Sequence, residues 1–439
     1  MSDTTKLSAR ARIDALVDAN SFVEIGGLVT ARATDFNMGA NQIPADGVIT
    51  GYGVIGEDLV FVYSQDAQAM NGAIGEMHAR KIASLYQMAI KAGAPIIGLI
   101  DCAGIRIEES LDAIAGFGDI YMKKVEASGV IPQLTAILGS CGGGVAISAG
   151  LSDITVMDAS NGSLFVNSPN AVAGNFKEKC DTSAADFQSE AGNVDIVCEN
   201  ESEVFTKLRE LVGLLPANSE VPAVVSTSDD KNRTIGTLGF GREAIEAVAD
   251  GNKFIELKKD FGTDMVVGLI AIDGETVGAI ANTEEGVLSA NGCHKAEQFV
   301  YFCDSFGLPI VTFTNVKSYA SCMCEEKRIA RKVADLTYAF ASSDVPKINV
   351  IVGEAYGSSY LSMNSKHIGA DLVLALDKAK IGAMDAKLAA EAVGVDEAAY
   401  KEQQEGAKAA AGRGYVDNII TESDTRKHLI YALQMFGMR

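Results

Sequence analysis

The stretch SGVIPQLTAILGSCGGG, residues 128–144, carries the pattern from which the fold of the chain can be argued. Its continuous apolar run, residues 134–138, predicts a buried β-strand, and the glycines after it predict a tight turn. The small and apolar residues that follow the turn are suited to a helix. Such a turn exposes backbone N–H groups at a helix N-terminus, where negative charge is stabilised. The stretch therefore predicts a site for a phosphate or an oxyanion.

Other interpretations of the glycine turn remain open at this point. A phosphate loop is less favoured than an oxyanion site, because no Gly-Lys-Ser/Thr follows and no Gly-x-Gly-x-x-Gly with a downstream acidic residue is present. The glycines could instead only permit close packing of the helix on the strand. A membrane-spanning helix is disfavoured: residues 127–152 carry no formal charge, yet Pro132 and six glycines within them favour a buried strand and a turn.

An internal duplication becomes visible when the first half of the chain is shifted by 214 residues. The landmarks Gly93, Pro95, Pro132, Gly139 and Gly143 then fall on Gly307, Pro309, Pro346, Gly353 and Gly357, and Lys81 falls on Lys295. Two prolines and three glycines that hold one register predict two copies of an α/β unit of about 200 residues. The second copy of the turn is AYGSSY, residues 355–360, so the chain carries two candidate oxyanion sites.

The two copies share one order of predicted elements. Apolar, β-branched runs predict strands at 96–100 and 134–138 in the first copy, and at 310–314 and 348–352 in the second. They alternate with helices such as 327–341, which is typical of buried, mainly parallel sheets with helices outside. Strand hairpins are predicted upstream at 46–64 and 265–282, the second turning at Asp273-Gly274. We expect a first domain at 1–215, a linker at 216–232 and a second domain at 233–439.

Length and charge restrict the class of protein further. A chain of 439 residues is too long for one core, which stops growing near about 250–300 residues. The formal net charge of −21 repels phosphate backbones and anionic membranes, which argues against nucleic acid as a partner. An anionic ligand then needs a local basic pocket, for which the first copy offers Arg80, Lys81, Arg106, Lys123 and Lys124. The last two residues could instead form a solvated helix face.

The cysteines and the N-terminus point to a reducing compartment. The first residues show no apolar core of signal-peptide length, so we expect a cytoplasmic protein with reduced thiols. Cys322-x-Cys324 with His294 and Cys303 lacks the paired ligand spacing of a zinc site, so we expect a reduced dithiol in a loop and no metal. The four histidines accompany no Gly-x-Ser-x-Gly motif, which argues against a hydrolase triad.

Six separated motifs resemble one known family. They are DGVITGYGVIGEDLVFVYSQD (46–66), GEMHARKI (75–82), DCAGIRIEESLDAIAGFGDI (101–120), SGVIPQLTAILGSCGGG (128–144), NSKHIGADLVLA (364–375) and GRGYVDNII (412–420). In order and over nearly the whole chain, they are similar to the carboxyltransferase subunit of biotin-dependent acyl-CoA carboxylases and related acyl-CoA decarboxylases. The resemblance implies an α/β fold of two tandem crotonase-like (ClpP/crotonase) ββα-superhelix domains, in agreement with the duplication.

The chemistry that this resemblance implies passes through anions. A carboxyl group moves between carboxybiotin, carried on a partner protein, and the α-carbon of an acyl-CoA. The family pattern places the backbone of Gly143 and Gly144 at the thioester enolate and that of Ser358 and Ser359 at the biotin ureido oxygen. Preorganised donors of this kind are worth about 3–4 kcal/mol each. The resemblance implies no metal and no essential side-chain base, since in this family released biotin takes the α-proton.

Further residues are implied by the same resemblance to bind the CoA thioester or biotin: Ala103, Gly104, Arg80, Lys81, Arg106, Gly357 and Tyr360. His78 is expected to be a packed or capping imidazole, with a contact near the CoA phosphates as the alternative. The sequence contains no Ala-Met-Lys-Met-like biotinylation motif and no ATP phosphate loop. Biotin and the ATP-consuming step are therefore expected on other proteins.

The resemblance leaves several functions open. Propionyl-CoA and methylmalonyl-CoA are the favoured substrate pair, with a biotin carboxyl carrier protein and a biotin carboxylase as partners. The alternative is the alpha subunit of a sodium-pumping methylmalonyl-CoA or glutaconyl-CoA decarboxylase, with a membrane decarboxylase subunit as partner. A third possibility is a non-catalytic scaffold that binds acyl-CoA. A homo-oligomer based on dimers, up to a hexamer, is implied in the enzymatic cases.

Two departures from the family pattern fall in the second copy. NVKSYASCMCEE, residues 315–326, stands where the family usually has a Pro/Gly-rich loop. A Gly-Gly-Ala turn has become Gly357-Ser358-Ser359. Backbone donors survive a change from Gly to Ser only if the local φ is negative. The first site is therefore better supported by the sequence than the second.

Overall fold

The fold was established from a computed structural model that describes residues 6–40, 43–173 and 180–437. The chain forms two compact units, Met1–Val221 and Pro222–Arg439. The point of division lies inside residues 216–232.

The first unit is built on one eight-stranded sheet. Its strands are β1 (Val23–Ile25), β2 (Val48–Ile55), β3 (Asp58–Gln65), β4 (Ile96–Cys102), β5 (Gln133–Gly142), β6 (Ile154–Asp158), β7 (Ser163–Phe165) and β8 (Ile196–Cys198). The order is β1-β2-β3-β4-β5-β6-β8, with β7 beside β5, and all pairs from β3 to β8 are parallel. Its described α-helices are Ala9–Leu16, Glu76–Ala92, Ser110–Ala127, Gly144–Gly150, Ala185–Glu190 and Glu201–Leu214.

The second unit repeats this sheet. Its strands are β9 (Ile255–Leu257), β10 (Met265–Ile272), β11 (Glu275–Asn282), β12 (Val287–Leu288), β13 (Ile310–Val316), β14 (Ser318–Tyr319), β15 (Lys347–Tyr356), β16 (Leu372–Leu376), β17 (Lys380–Gly382) and β18 (Asn418–Ile420). The order is β9-β10-β11-β13-β15-β16-β18, with β17 beside β15 and a separate β12-β14 pair. Its described α-helices are Arg242–Val248, Ala290–Ser305, Met323–Glu326, Ile329–Ser342, Gly357–Leu361, Ala386–Val393, Glu397–Gln404, Ala407–Ala411 and Thr425–Phe436.

The shared strand order confirms the duplication that the sequence predicts. The bounds of β4 and β13, and those of β5 and β15, differ by the predicted 214 residues. Both predicted hairpins form, and the second turns at Asp273-Gly274 with positive φ at both residues, as a tight two-residue hairpin requires. The central strands are buried along their whole length or nearly so, which accounts for their continuous apolar sequence.

The repeated glycines and prolines lie at the joints between helices and strands. Gly93 ends the helix Glu76–Ala92 in the left-handed conformation, at φ 62°, and Gly307 has a φ of 65° after the equivalent helix. The carbonyl of Pro132 accepts from Ile96 N–H at 3.0 Å, and that of Pro346 accepts from Ile310 N–H at 2.8 Å. These residues fix where each parallel strand begins.

A register shift interrupts β4 between Ile100 and Cys102, and an equivalent one interrupts β13. The residue at the shift is Asp101 in the first unit and Asn315 in the second. A Cβ atom at Gly139 would collide with the Asp101 carboxylate, and one at Gly353 would collide with the Asn315 amide. The repeated glycines on β5 and β15 are therefore needed so that these polar side chains can enter the sheet.

The buried charge of Asp101 is neutralised by the N-terminal helix. Arg12, which is 1% exposed, donates from Nη1 to Asp101 Oδ2 at 2.9 Å and from Nη2 to Glu201 Oε1 at 2.5 Å. Its Nη2 also donates to the carbonyl of Leu138 at 3.2 Å. Lys6 contacts Asp101 from the solvent side at 2.7 Å. This cluster attaches the first helix to the ends of β4 and β5.

Asn315 is held without charge. Its Nδ2 donates to the carbonyl of Thr283 at 2.9 Å, and its Oδ1 accepts from Glu354 N–H at 2.9 Å. The second unit thus fills the same position in the sheet with an amide that needs no arginine.

A second buried network lies at the start of the helix Glu76–Ala92. Arg106 is fully buried and donates from Nη1 to Asp46 and to Glu109, both at 2.7 Å. Glu109 Oε2 accepts from Glu76 N–H at 2.7 Å, which caps the helix. His78 Nδ1 lies 3.0 Å from the carbonyl of Asp46, and its Nε2 lies 3.2 Å from Gln65 Nε2. A carbonyl can only accept and an amide nitrogen can only donate, so Nδ1 carries the hydrogen, Nε2 accepts from Gln65 and the ring is neutral.

The Arg12 cluster leads to a prediction about stability. Arg12→Met should lower the free energy of unfolding by about 3–5 kcal/mol, because Glu201 and Asp101 keep their buried charge without the guanidinium. Arg10→Met is the matched control: Arg10 is half exposed and pairs with Asp14 and Glu24, so we expect a loss of at most about 1 kcal/mol.

Denaturant unfolding followed by circular dichroism measures both variants. Adding Glu201→Gln to Arg12→Met should recover part of the lost stability, since one unpaired carboxylate is removed. Equal, small losses for Arg12→Met and Arg10→Met would contradict this account of the cluster.

The buried ring of His78 predicts a pH dependence. Burial lowers the pKa of His78 from 6.5 to about 3. Below pH 6.5 the unfolded chain binds a proton that the folded chain does not, so stability falls as the pH falls. Between about pH 7.5 and pH 5 this group should account for about 2 kcal/mol of lost stability. Denaturant midpoints at both pH values should differ less in His78→Gln than in the wild type, and an unchanged difference would refute the assignment.

Candidate active site

The first glycine turn joins β5 to the helix Gly144–Gly150 through a conformation that only glycine adopts readily. Gly143 has φ 61° and ψ −124°. A Cβ atom at Gly143 would meet no atom within 4 Å, so backbone conformation and not space demands glycine there. The turn is therefore open on the side of Gly143.

The donors of this turn differ from those expected from the sequence. The N–H of Gly143 donates to the carbonyl of Phe165 on β7 at 2.9 Å, so it is already committed. The N–H of Gly144 opens the helix, and no acceptor for it lies among residues 6–40, 43–173 and 180–437. Of the two glycines, Gly144 is the one with a donor to offer an anion.

Tyr121, a residue that the sequence analysis did not single out, holds this turn in place. Its hydroxyl donates to the carbonyl of Gly144 at 2.6 Å. Its ring meets Phe117 edge-on at 6.1 Å between centroids. A Cβ atom at Gly144 would lie 2.9 Å from the Tyr121 hydroxyl, so the helix Ser110–Ala127 packs closely on the turn. The spacing of Phe117 and Tyr121, four residues apart on one helix, is the sequence signal that could have predicted this aromatic contact.

The loop after β4 lies against the same turn. A Cβ atom at Gly142 would lie 3.1 Å from the carbonyl of Ala103, and one at Gly104 would lie 3.6 Å from the carbonyl of Gly142. Ala103 is exposed, but its N–H donates to the carbonyl of Asn71 at 3.0 Å. Ala103 and Gly104 thus lie beside Gly142 and shape one wall of the open turn.

The second glycine turn follows the first in its backbone. Gly357 has φ 57°, while neither Ser358 nor Ser359 is among the non-glycine residues with positive φ. The condition for retaining backbone donors after a change from Gly to Ser is therefore met. Ser358 is exposed, and its Oγ accepts from the hydroxyl of Tyr319 at 3.2 Å. Ser359 is buried, and its Oγ donates to the carbonyl of Tyr356 at 2.7 Å.

Several residues expected at the ligand are instead internal. Arg106 is fully buried in the ion pairs with Asp46 and Glu109, so it cannot reach CoA phosphates from this position. Lys81 is buried and donates to the carbonyls of Ala45 and Val48, and burial lowers its pKa to about 8. The duplicated Lys295 likewise donates to the carbonyl of Phe261, at 2.8 Å, which explains why this lysine occurs in both copies.

Of the other residues expected to contact a ligand, two are buried and one is exposed to solvent. Tyr360 is buried among Ala379, Ala407 and neighbouring apolar residues, so its ring belongs to the core and not to a ligand surface. Lys124 is buried too and donates to the hydroxyl of Tyr86 at 2.9 Å, which corrects its interpretation as part of a solvated face. Arg80 is 54% exposed and pairs with Glu76 at 2.9 Å. Of Arg80, Lys81 and Arg106, it alone faces solvent.

The expected reduced dithiol is a disulfide in the structure. Cys322 and Cys324 are joined, with their Cα atoms 5.4 Å apart. Among the described residues, no group of three or more His, Cys, Asp or Glu side chains is arranged to hold a metal ion. None of the described helices is both long and apolar enough to cross a membrane. Residues 127–152 instead contain β5, the glycine turn and the helix Gly144–Gly150.

Comparison with known proteins gives this geometry its context. The chain matches the carboxyl transferase domain family over residues 2–437. It is 35% identical to the methylmalonyl-CoA decarboxylase subunit alpha of Veillonella parvula, over 99% of this chain and 91% of that protein. It is also 35% identical to the mitochondrial propionyl-CoA carboxylase beta chain of Homo sapiens, over 99% and 86%.

A solved structure supports the same assignment. The transcarboxylase 12S structure, described as a hexamer assembly with hydrolysed methylmalonyl-CoA bound, superposes with a TM-score of 0.93 at 32% identity. The match covers 99% of this chain and 90% of that one. The similarity confirms the predicted fold of two tandem crotonase-like units, and the chain belongs to the carboxyl transferase domain family.

Proposed function

We propose that the chain is the carboxyltransferase subunit of a biotin-dependent enzyme that moves a carboxyl group between carboxybiotin and the α-carbon of a short acyl-CoA. The observation that carries the proposal is the uncommitted N–H of Gly144 at an open glycine turn, in a member of the carboxyl transferase family. A backbone donor fixed beside open space can stabilise charge as it develops on a thioester oxygen.

In the first unit, each residue around the turn has a separate task. Gly144 donates its N–H to the thioester oxygen, whose charge grows as the α-carbon becomes an enolate. Gly143 does not donate in this arrangement, because its N–H is held by Phe165; it sets the direction of the Gly144 N–H instead. Tyr121 binds the Gly144 carbonyl and so limits movement of the turn while the charge develops.

In the second unit, we propose that the backbone N–H groups of Ser358 and Ser359 hold the ureido oxygen of biotin. Both residues lie in the first turn of a helix, where backbone N–H groups have no partner four residues back. Biotin, carried on a partner protein, supplies the group that accepts or delivers the carboxyl. Gly357 gives the turn its direction, as Gly143 does in the first unit.

The substrate pair that we favour is propionyl-CoA and methylmalonyl-CoA. Relatives named as propionyl-CoA carboxylase beta chains and a transcarboxylase with methylmalonyl-CoA bound support this pair. With that pair, the partners would be a biotin carboxyl carrier protein and a biotin carboxylase. Arg80 and Gly104 are the residues that we propose near the CoA moiety, since Arg80 faces solvent and Gly104 borders the open turn.

A second candidate is the alpha subunit of a sodium-pumping decarboxylase for methylmalonyl-CoA or glutaconyl-CoA. The similarity to the Veillonella parvula decarboxylase subunit favours it, and its partner would be a membrane decarboxylase subunit. A non-catalytic scaffold has less support, because the Gly to Ser change in the second turn leaves the backbone φ negative. The altered loop at 315–326 is what still favours a scaffold.

An apolar stripe on the helix Ser110–Ala127 supports a homo-oligomer, based on dimers and extending to a hexamer. Leu111, Ile114, Met122 and Val125 lie on one helix face and are between 56% and 77% exposed. Contiguous exposed apolar surface of this kind commonly marks a protein interface. The hexamer assembly of the transcarboxylase 12S relative agrees with a second copy as its occupant.

A backbone substitution tests the role of Gly144. The assay is exchange of labelled carboxyl from methylmalonyl-CoA to free biotin by the purified chain. Gly144→Pro removes the N–H at the first helical position, where proline is otherwise tolerated, and should lower kcat about 100- to 1000-fold. Gly144→Ala adds the same crowding Cβ atom near Tyr121 but keeps the N–H, so it should retain most of the wild-type kcat.

Two outcomes would count against the proposal. Equal rates for Gly144→Pro and Gly144→Ala would show that the N–H does not contribute. Absence of exchange in the wild type with malonyl-, methylmalonyl- and glutaconyl-CoA, despite binding of the CoA esters, would favour the scaffold.

A side-chain substitution tests the task given to Tyr121. Tyr121→Phe keeps the ring against Phe117 and removes the hydrogen bond to Gly144, so kcat should fall about 2- to 10-fold with KM for acyl-CoA unchanged. Tyr52→Phe removes a hydroxyl from a partly exposed ring on β2 and serves as the control. If both variants keep the wild-type kcat, Tyr121 does not position the turn.

A further inference from the structure

The disulfide between Cys322 and Cys324 lies on an exposed loop of the second unit. This segment, residues 317–326 and hereafter the 317–326 loop, contains β14 and the short helix Met323–Glu326, and it leads from the end of β13 towards the helix Ile329–Ser342. Both cysteines are exposed, and Met323 between them is 86% exposed. An exposed disulfide that closes so short a loop constrains the unfolded chain less than one that closes a long loop. Its main effect is therefore local.

Two anchors hold the 317–326 loop on either side of the disulfide. Before it, Ala320 N–H donates to the carbonyl of Leu288 at 2.8 Å, next to the β12-β14 pair. After it, the Glu325 carboxylate accepts from Ala290 N–H at 2.5 Å and pairs with Arg328 at 3.0 Å. The disulfide thus sets the path of the chain between two fixed points.

The same loop touches the second glycine turn through one hydrogen bond. The hydroxyl of Tyr319, three residues before Cys322, donates to Ser358 Oγ at 3.2 Å. Ser358 is the residue directly after Gly357 in that turn. Tyr319 directly precedes the first anchor, so a change in the path of the chain after Ala320 reaches Tyr319, and through it Ser358, by way of the hydrogen bond between Ala320 and Leu288.

The equivalent loop of the first unit is locked in a different way. Glu109 caps the helix Glu76–Ala92, just as Glu325 caps the helix Ala290–Ser305. There the segment before the capping glutamate is held by the buried ion pairs of Arg106, which no change of redox state alters. In the second unit the corresponding lock is a covalent bond that a reductant can break.

The other cysteines are less suited to thiol–disulfide exchange. Cys102, Cys141, Cys198, Cys293 and Cys303 are all buried. Burial raises the pKa of Cys102, Cys198 and Cys293 to about 12, which keeps them as unreactive thiols. Cys180 is partly buried. Exposed disulfides are in general the labile and regulatory ones.

We propose that Cys322 and Cys324 form a reversible dithiol–disulfide couple, a modification site that reacts with a dithiol reductant and sets the contact of Tyr319 with the second glycine turn. The consequence for biotin rests on the proposed function of that turn. In the oxidised chain the loop holds Tyr319 on Ser358, and in the reduced chain that contact is released.

The redox step balances within the two reactants. A thiolate of the reductant attacks one of the two sulfurs, the S–S bond breaks, and a mixed disulfide forms with loss of the other cysteine as a thiolate. The second thiol of the reductant then displaces the remaining cysteine. The chain gains two electrons and two protons as two thiols, and the reductant leaves as its own disulfide.

The first experiment reports on the couple without any assay of activity. The native chain is alkylated before and after treatment with dithiothreitol, and the peptide of residues 318–327 is analysed by mass spectrometry. We expect no alkylation of that peptide before reduction and two alkylated cysteines after it. When the reduced chain is reoxidised with oxidised glutathione before alkylation, neither cysteine should be alkylated. Amide hydrogen exchange at Tyr319 and Ala320 should be faster in the reduced chain.

The second experiment measures biotin. Reduction should raise KM for free biotin in the exchange assay about fivefold, the size expected for one lost hydrogen bond, with KM for acyl-CoA unchanged. The double variant Cys322→Ser/Cys324→Ser should show the reduced value in both redox conditions, and so should Tyr319→Phe with the disulfide intact. Cys180→Ser is the control and should respond to reduction as the wild type does.

The outcomes separate this inference from the proposed function. Cysteines 322 and 324 that are alkylated without reduction and cannot be oxidised, or hydrogen exchange at Tyr319 that is the same in both states, would overturn the couple. An equal KM for biotin in both states would overturn its link to the second turn. A chain that transfers no carboxyl group in either state would overturn the proposed function, while alkylation and hydrogen exchange would still decide the couple.

Discussion

The left-handed glycine that ends the central strand of each unit is the constraint around which the rest of the structure is arranged. Gly143 and Gly357 turn a buried parallel strand into a helix within one residue, with φ near 60° in both cases. That turn directs main-chain N–H groups outwards at the carboxyl end of a central strand. The bulged strand beside it, the wall formed by Ala103 and Gly104 and the hydroxyl of Tyr121 all lie against this one change of direction.

The two units place a polar side chain at the same point of the sheet and hold it in different ways. Asp101 carries a buried charge, and Arg12 forms ion pairs with both Asp101 and Glu201. Asn315 has hydrogen-bond partners from Thr283, Glu284 and Glu354 and carries no charge. A buried carboxylate is costly to leave alone, so the first unit depends on its N-terminal helix, whereas the amide depends on nearby main chain only. The fold tolerates either solution because the glycine opposite, Gly139 or Gly353, leaves room for both.

How far the sequence could predict the structure depended on whether a feature was encoded locally. The glycines and prolines restrict the backbone at the position where they stand, so the duplication, the parallel strands and both turns could be predicted. Long-range pairs could not: Arg12 and Asp101 are 89 residues apart, and Tyr121 reaches Gly144 across 23. Lys81 and Arg106 were expected near an anion because of their charge, yet backbone carbonyls and buried carboxylates bind them internally. The Cys322–Cys324 disulfide was missed since the thiols were judged from compartment and not from position.

A site assembled from main chain also drifts in evolution differently from one made of side chains. In the proposed second site the donors belong to the main chain, so an exchange at Ser359 that keeps the backbone leaves them in place as long as Gly357 persists, whereas an exchange at Ser358 also removes the contact with Tyr319. After a duplication, the two halves can then diverge in residue identity faster than in chemistry. A degenerate copy in such a lineage would be recognised by loss of its left-handed glycine and not by altered neighbours.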